Sequence, residues 1–121
     1  MKSRGRHRQE RVATLIRQIL AQALATRVKD PRVALVTVTG VTMSADLSHA
    51  TARVSVMGSD EEKEQALNGL ESARGFLRSV IAGAADLRVT PDLHFTLDRG
   101  LEHASRIDAL LKDLKLSEPR S

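Results

Sequence analysis

The groups best able to do chemistry in this 121-residue chain are its cations. Arg4, Arg6, Arg8 and Arg11 crowd the start. Lys29 and Arg32 flank Asp30-Pro31, Arg74 and Arg78 stand either side of Gly75, and Arg88 precedes Pro91. Guanidinium and ammonium groups at this density are the electrostatic footprint of a phosphate-rich partner. Their distribution says more than the net charge of +4. Residues 1–32 hold nine Lys or Arg against two acids, a net of +7; the other 89 hold ten against thirteen, a net of −3. A cationic segment therefore sits on a weakly anionic body. The bland alternatives are a solvated tail for the N-terminal arginines and exposed helix arginines for Arg74 and Arg78. For Arg88 and Lys29 they are ion pairs with Asp86 and Asp30.

Other chemistries find little support. There is no cysteine, which excludes a disulfide framework, a thiolate zinc site and a cysteine nucleophile, and which fits a reducing cytoplasm. His7, His49, His94 and His103 lack the HxxxH or HExxH spacing of a metal site. Ser44, Asp46 and His49 resemble a triad only superficially, because Ser and Asp there serve a turn and no nucleophile elbow accompanies them. No phosphate-cradling glycine loop is present. The acids after Ser59 cluster where a helix begins, so capping explains them better than a nuclease metal site. The only two aromatics, Phe76 and Phe95, fall at predicted core positions, so no base-stacking platform is expected. The sequence thus offers no catalytic residue, no metal ligand set and no cofactor site.

These residues must be held by a small set of elements. Val12, Leu15, Ile16, Ile19, Leu20, Ala23 and Leu24 form one stripe of a helix from about Gln9, ended by Asp30-Pro31. Residues 34–43 and 48–57 alternate as strands, and Ser44-Ala45-Asp46-Leu47 reads as the turn of an antiparallel hairpin. Ser59 with Glu62 is a capping box. Ala66, Leu67, Leu70 and Ala73 then Phe76, Leu77, Val80, Ile81 and Ala84 suggest two helices joined at a kink at Gly75, since glycine inside a helix costs about 1 kcal/mol. A third strand over 87–97 carries Pro91 as a bulge, edge or start. Leu101, Ala104, Ile107, Leu111 and Leu114 mark a last amphipathic helix.

No stretch is long enough and apolar enough to span a bilayer, and the arginine-rich start lacks the apolar region of a secretory signal. The basic stretch runs straight into a helix of the fold, which argues against an organelle transit peptide. A strand–helices–strand crossover is right-handed and joins parallel neighbours. The second strand is therefore expected in the centre, antiparallel to the first and parallel to the third. The fold class is α+β: a two-layer type-II KH-like domain (α-β-β-α-kink-α-β) with a C-terminal amphipathic helix. Residues 1–8 are set apart as a basic flexible N-terminus, 9–115 as the KH-like domain and 116–121 as a short tail.

Four motifs in this order carry a resemblance. They are Lys29-Asp30-Pro31-Arg32, Gly40-Val41-Thr42-Met43-Ser44-Ala45-Asp46-Leu47, Ala73-Arg74-Gly75-Phe76-Leu77-Arg78, and Leu87-Arg88-Val89-Thr90-Pro91-Asp92-Leu93-His94-Phe95. The chain resembles the ribosome-binding factor A family from about Gln9 to about Leu111. Ala45 stands where a basic residue is often found, and no long charged tail follows the last predicted helix. The resemblance implies a KH-like domain in which an Ala-x-Gly kink, here Ala73-Arg74-Gly75, replaces the GxxG loop. It implies a non-enzymatic cytoplasmic monomer that binds the free small (30S) ribosomal subunit and its 16S rRNA. Late maturation and precursor processing follow, with most importance in the cold. Under that reading Arg4, Arg6, Arg8, Arg11, Lys29, Arg32, Arg74, Arg78 and Arg88 are candidate RNA contacts. The competing readings are a DNA-binding nucleoid protein and a nuclease.

Overall fold

The computed structural model describes residues 2–100, with side chains from residue 5. The Arg4 side chain and the predicted C-terminal amphipathic helix, with His103, lie outside the described residues. The elements are α1 (Lys2–Thr26), a 3-10 turn (Pro31–Val33), β1 (Val36–Met43), β2 (His49–Val56), α2 (Asp60–Ala84) and β3 (Asp92–Leu97). The sheet order is β1-β2-β3. β1 pairs antiparallel with β2, and β3 pairs parallel with β2, as the crossover rule requires.

α1 reaches back beyond the apolar stripe, to Lys2. Arg, Lys and Gln are good helix formers and need no buried face to extend a helix already nucleated. Residues 2–8, set apart from the sequence, thus belong to α1. Its stripe buries Ala13, Ile16, Leu20, Ala23 and Leu24. Asp30 caps the 3-10 turn, accepting from the Arg32 N–H, and Pro31 occupies its first position.

Both helices pack on one face of the sheet, α1 over β1 and α2 against β3. Ala50, Ala52, Val54 and Leu93 lie beneath them, fully or almost fully buried. Two alanines in the middle of the central strand let the helix layer come close. Thr39 is an extra residue in β1, where the register passes from Val38↔Val54 to Gly40↔Arg53. Pro91 comes just before β3, so its missing N–H removes nothing from the ladder.

The kinked pair of helices is not what forms. α2 is one helix of 25 residues running through Ala73, Arg74 and Gly75. Its buried residues Ala66, Leu70, Leu77 and Ile81 keep one helical phase on both sides of Gly75. The packed stripe has no break for a kink to accommodate, and burial along it outweighs the ~1 kcal/mol preference of a single glycine. Phe76 also departs from expectation. It is 42% exposed instead of buried, because it sits to the side of that stripe.

Candidate nucleic-acid interface

The hairpin that closes β1 and β2 is built from turn chemistry. Asp46 accepts from the Ser44 hydroxyl (2.8 Å), the Ser48 hydroxyl (2.7 Å) and the Ser48 N–H (3.1 Å). These donors stabilise its anionic form and hold the carboxyl at about 2, with the Ser48 hydroxyl the largest cause. The His49 N–H donates to the Ser44 oxygen. The suggestive Ser44, Asp46 and His49 trio is therefore consumed by the turn, and the His49 ring turns elsewhere. Its Nδ1 lies 3.0 Å from Nε2 of His94 on β3. Among the described residues no cluster of three or more His, Cys, Asp or Glu could hold a metal.

The candidate cations separate into groups. The first lies around the N-terminal turns of α1, where Arg6, Arg8 and Arg11 are exposed. Arg8 and Arg88 line one groove of about 320 Å³, walled by Gly5, Gln9, the hairpin tip Ala45-Asp46-Leu47, Leu87 and Val89. Gln9 fixes this end of α1 to the hairpin, its side-chain oxygen accepting from the Ala45 N–H at 3.3 Å. Residues 80 positions apart in sequence thus share a site because the α2–β3 connection returns beside the start of α1.

A second groove of similar volume runs between α2 and β3. Arg74, Gly75, Arg78, Asp92, Leu93 and His94 line it. Its two arginines differ. Arg78 reaches across to the connection, donating to the Thr90 carbonyl at 2.9 Å and the Pro91 carbonyl at 3.3 Å, and lies 3.6 Å from Asp92. It ties α2 to the start of β3. Arg74 has a looser partner, Glu71 at 3.5 Å one turn away, with both side chains about half exposed. Such a surface pair contributes little and leaves the guanidinium available. This positively charged rim stands on a helix that runs without interruption through Gly75.

Lys29 and Arg32 lie at the far end of α1, a helix of 25 residues and so about 37 Å long. Lys29 and Arg88 share no groove among the described residues, because Arg88 joins the opposite end of α1. Arg32 is clamped by Asp30, Nε at 3.0–3.1 Å and Nη2 at 2.6 Å. This bidentate pairing lowers the Asp30 pKa and raises that of Arg32.

Arg53 was not singled out from the sequence. Its guanidinium covers Gly40 and donates to the Thr42 hydroxyl. A Cβ at Gly40 would collide with it, so glycine there makes room for an arginine on the open face of the sheet. The pairing depends on the bulge at Thr39, whose hydroxyl donates to Asp98 at 2.7 Å, and no local sequence signal announces it.

The arrangement presents separated cationic grooves on well-packed elements, and no cluster of three or more metal-ligating side chains occurs among the described residues. Comparison with known proteins agrees with it. Residues 8–111 match the family described as ribosome-binding factor A. The chain is 46% identical over 114 residues to ribosome-binding factor A of Dictyoglomus thermophilum, covering 93% of this chain and 95% of the relative. The crystal structure of ribosome-binding factor A from Thermus thermophilus superimposes with a TM-score of 0.68 at 27% identity, covering 76% of this chain and 98% of that one. A Thermus thermophilus ribosome-binding factor A homology model fitted into the cryo-EM map of a 30S complex matches with a TM-score of 0.54 at 31% identity, over 69% and 92% of the two chains. A family match across nearly the whole described fold, on the topology and motifs set out above, places this chain in the ribosome-binding factor A family.

Proposed function

We propose that the protein binds the free small ribosomal subunit through its 16S rRNA and supports late maturation and precursor processing of that RNA, above all in the cold. It acts by binding rather than catalysis, as a cytoplasmic monomer without a cofactor. The observation that carries this reading is the family match together with the relative that was fitted into a 30S complex. The charge pattern supports it: the basic turns of α1, the groove at Arg8 and Arg88 and the groove at Arg74 are suited to phosphate, the dominant source of RNA affinity.

Arg4, Arg6, Arg8, Arg11, Arg74 and Arg88 are the proposed RNA contacts, with Lys29 as an outlying one. Arg32 and Arg78 contribute charge, but most of their donors serve Asp30 and the α2–β3 connection. The test is to sediment a cell lysate and locate the protein. It should travel with free small subunits and be sparse on whole ribosomes, and its depletion should cause precursor 16S rRNA to accumulate on cooling. A protein found with DNA, or in purified form preferring duplex DNA to small-subunit rRNA in a gel shift, would overturn the proposal.

A further inference from the structure

Phe76 is one of only two aromatic residues in the chain, and it is placed where a core aromatic is not. Leu77 beside it is fully buried, whereas 42% of Phe76 stays open. Phe95, the other aromatic, packs half-buried against the core. An exposed phenyl ring forgoes much of the transfer gain that normally draws it inside. What stands against this ring is a cation. The Arg27 guanidinium lies 5.3 Å from the ring centroid, within cation–π range. Arg27 belongs to the turn that closes α1, its N–H bonded to the Ala23 carbonyl at 2.8 Å. Both partners therefore stand on well-anchored backbone.

More positive charge continues from Arg27. Lys29, two residues on, is exposed. Gly69, seven residues before Phe76 and so on nearly the same face of α2, meets Val33 and Arg32 of the 3-10 turn. This flank of α2 thus faces the segment 27–33, and neither Arg27 nor Lys29 has an ion pair among the described residues. Phe76 lies roughly 160° around the helix from both Arg74 and Arg78, so this is a different surface from the groove against β3. A half-exposed phenyl ring with a guanidinium over one face and further cations beside it is a combination suited to an unpaired nucleotide. The base stacks on the ring and the phosphate meets the cations.

We infer that Phe76 and Arg27 form a stacking site for one unpaired RNA base. The inference rests on the RNA-binding reading and deepens it, giving α2 an RNA contact on each flank. Phe76→Leu keeps apolar bulk and helix propensity while removing the π face. Its melting temperature should stay close to the parent's, while affinity for protein-free 16S rRNA transcript and for small subunits should fall about 5- to 150-fold. Phe76→Trp should retain binding, and its indole fluorescence should be quenched as the transcript is added. Weakened binding to subunits with unchanged binding to bare rRNA would make Phe76 a protein contact and overturn the site. Full binding by Phe76→Leu with an unquenched Trp variant would overturn it as well, while leaving the RNA-binding function standing. A parent protein that binds neither transcript nor subunits would instead overturn the function itself, and the site with it. Should Phe76→Leu lower the melting temperature substantially, the Trp quenching decides between the outcomes.

Discussion

Asp46 shows how much one side chain can organise without burial. Three donors from Ser44 and Ser48 converge on it, and they hold its carboxyl at about 2 instead of 3.8. A carboxyl whose folded pKa is depressed stabilises the fold above its unfolded pKa, and the stabilisation disappears as pH falls through the folded value. The contribution of Asp46 is therefore complete above pH 4 and lost between about 4 and 2. A side-chain carboxyl titration by NMR should give a midpoint near 2. Asp46→Asn should lower the melting temperature at pH 6 and make little difference at pH 2. The two arginines of the α2–β3 groove should divide just as clearly. Arg78→Ala removes hydrogen bonds to two carbonyls and should cost about 0.5–1 kcal/mol in denaturant unfolding, at the low end because the side chain is half in water. Arg74→Ala should leave stability unchanged and weaken rRNA binding.

Two glycines of α2 should respond in opposite directions, and the contrast tests whether the helix is continuous. A Cβ at Gly75 would meet nothing within 4 Å. Gly75→Ala should therefore raise stability by up to about 1 kcal/mol through helix propensity and a less flexible unfolded chain. Amide shifts from 73 to 77 should remain helical. A Cβ at Gly69 would come within 2.9 Å of a Val33 methyl carbon and 3.1 Å of the Arg32 Cβ. Those atoms are anchored close to the backbone of the 3-10 turn. Gly69→Ala should force α2 away from the turn and cost roughly 1–3 kcal/mol, as overpacking does. Equal effects at both positions would mean that the close approach at Gly69 relaxes without strain.

For the whole molecule, the separation of a cationic α1 start from a weakly anionic body matters most. If several phosphates are neutralised on binding, log affinity for small-subunit rRNA should fall linearly with log salt, with a slope of about 0.7–0.9 per phosphate. Changing Arg4, Arg6, Arg8 and Arg11 together to Ala should weaken binding and flatten that slope, with little loss of fold because Arg6, Arg8 and Arg11 are exposed. Unchanged affinity across several salt concentrations would reduce those residues to a solvated helix end. The grooves lie on different faces and ends of the domain, so their losses should add when changed in combination, as for sites without shared partners.

Local signals in the sequence determined most of the architecture. The period-2 alternation of the hairpin strands and the capping box at Ser59 and Glu62 rest on contacts within a few residues, and each appears where the pattern placed it. The stripe of α1 is buried or half-buried except at Leu15, and the helix already ends at Thr26, so Asp30-Pro31 opens the 3-10 turn instead of stopping α1. The handedness of the crossover then left one arrangement for β3. Gly75 was misread because glycine reports only a local preference. The continuous buried stripe from Ala66 to Ile81 decides the helix, and its strength depends on the sheet beneath. Phe76 was misread for the related reason that its helical phase is a matter of degrees, and only the placement of α1 shows which flank meets Arg27. The grouping of cations was likewise invisible along the chain. Arg8 joins Arg88, Arg53 covers Gly40 and Lys29 stands apart because strand order, the bulge at Thr39 and the return of the α2–β3 connection bring distant residues together. Those are long-range contacts, fixed by packing that no short segment encodes.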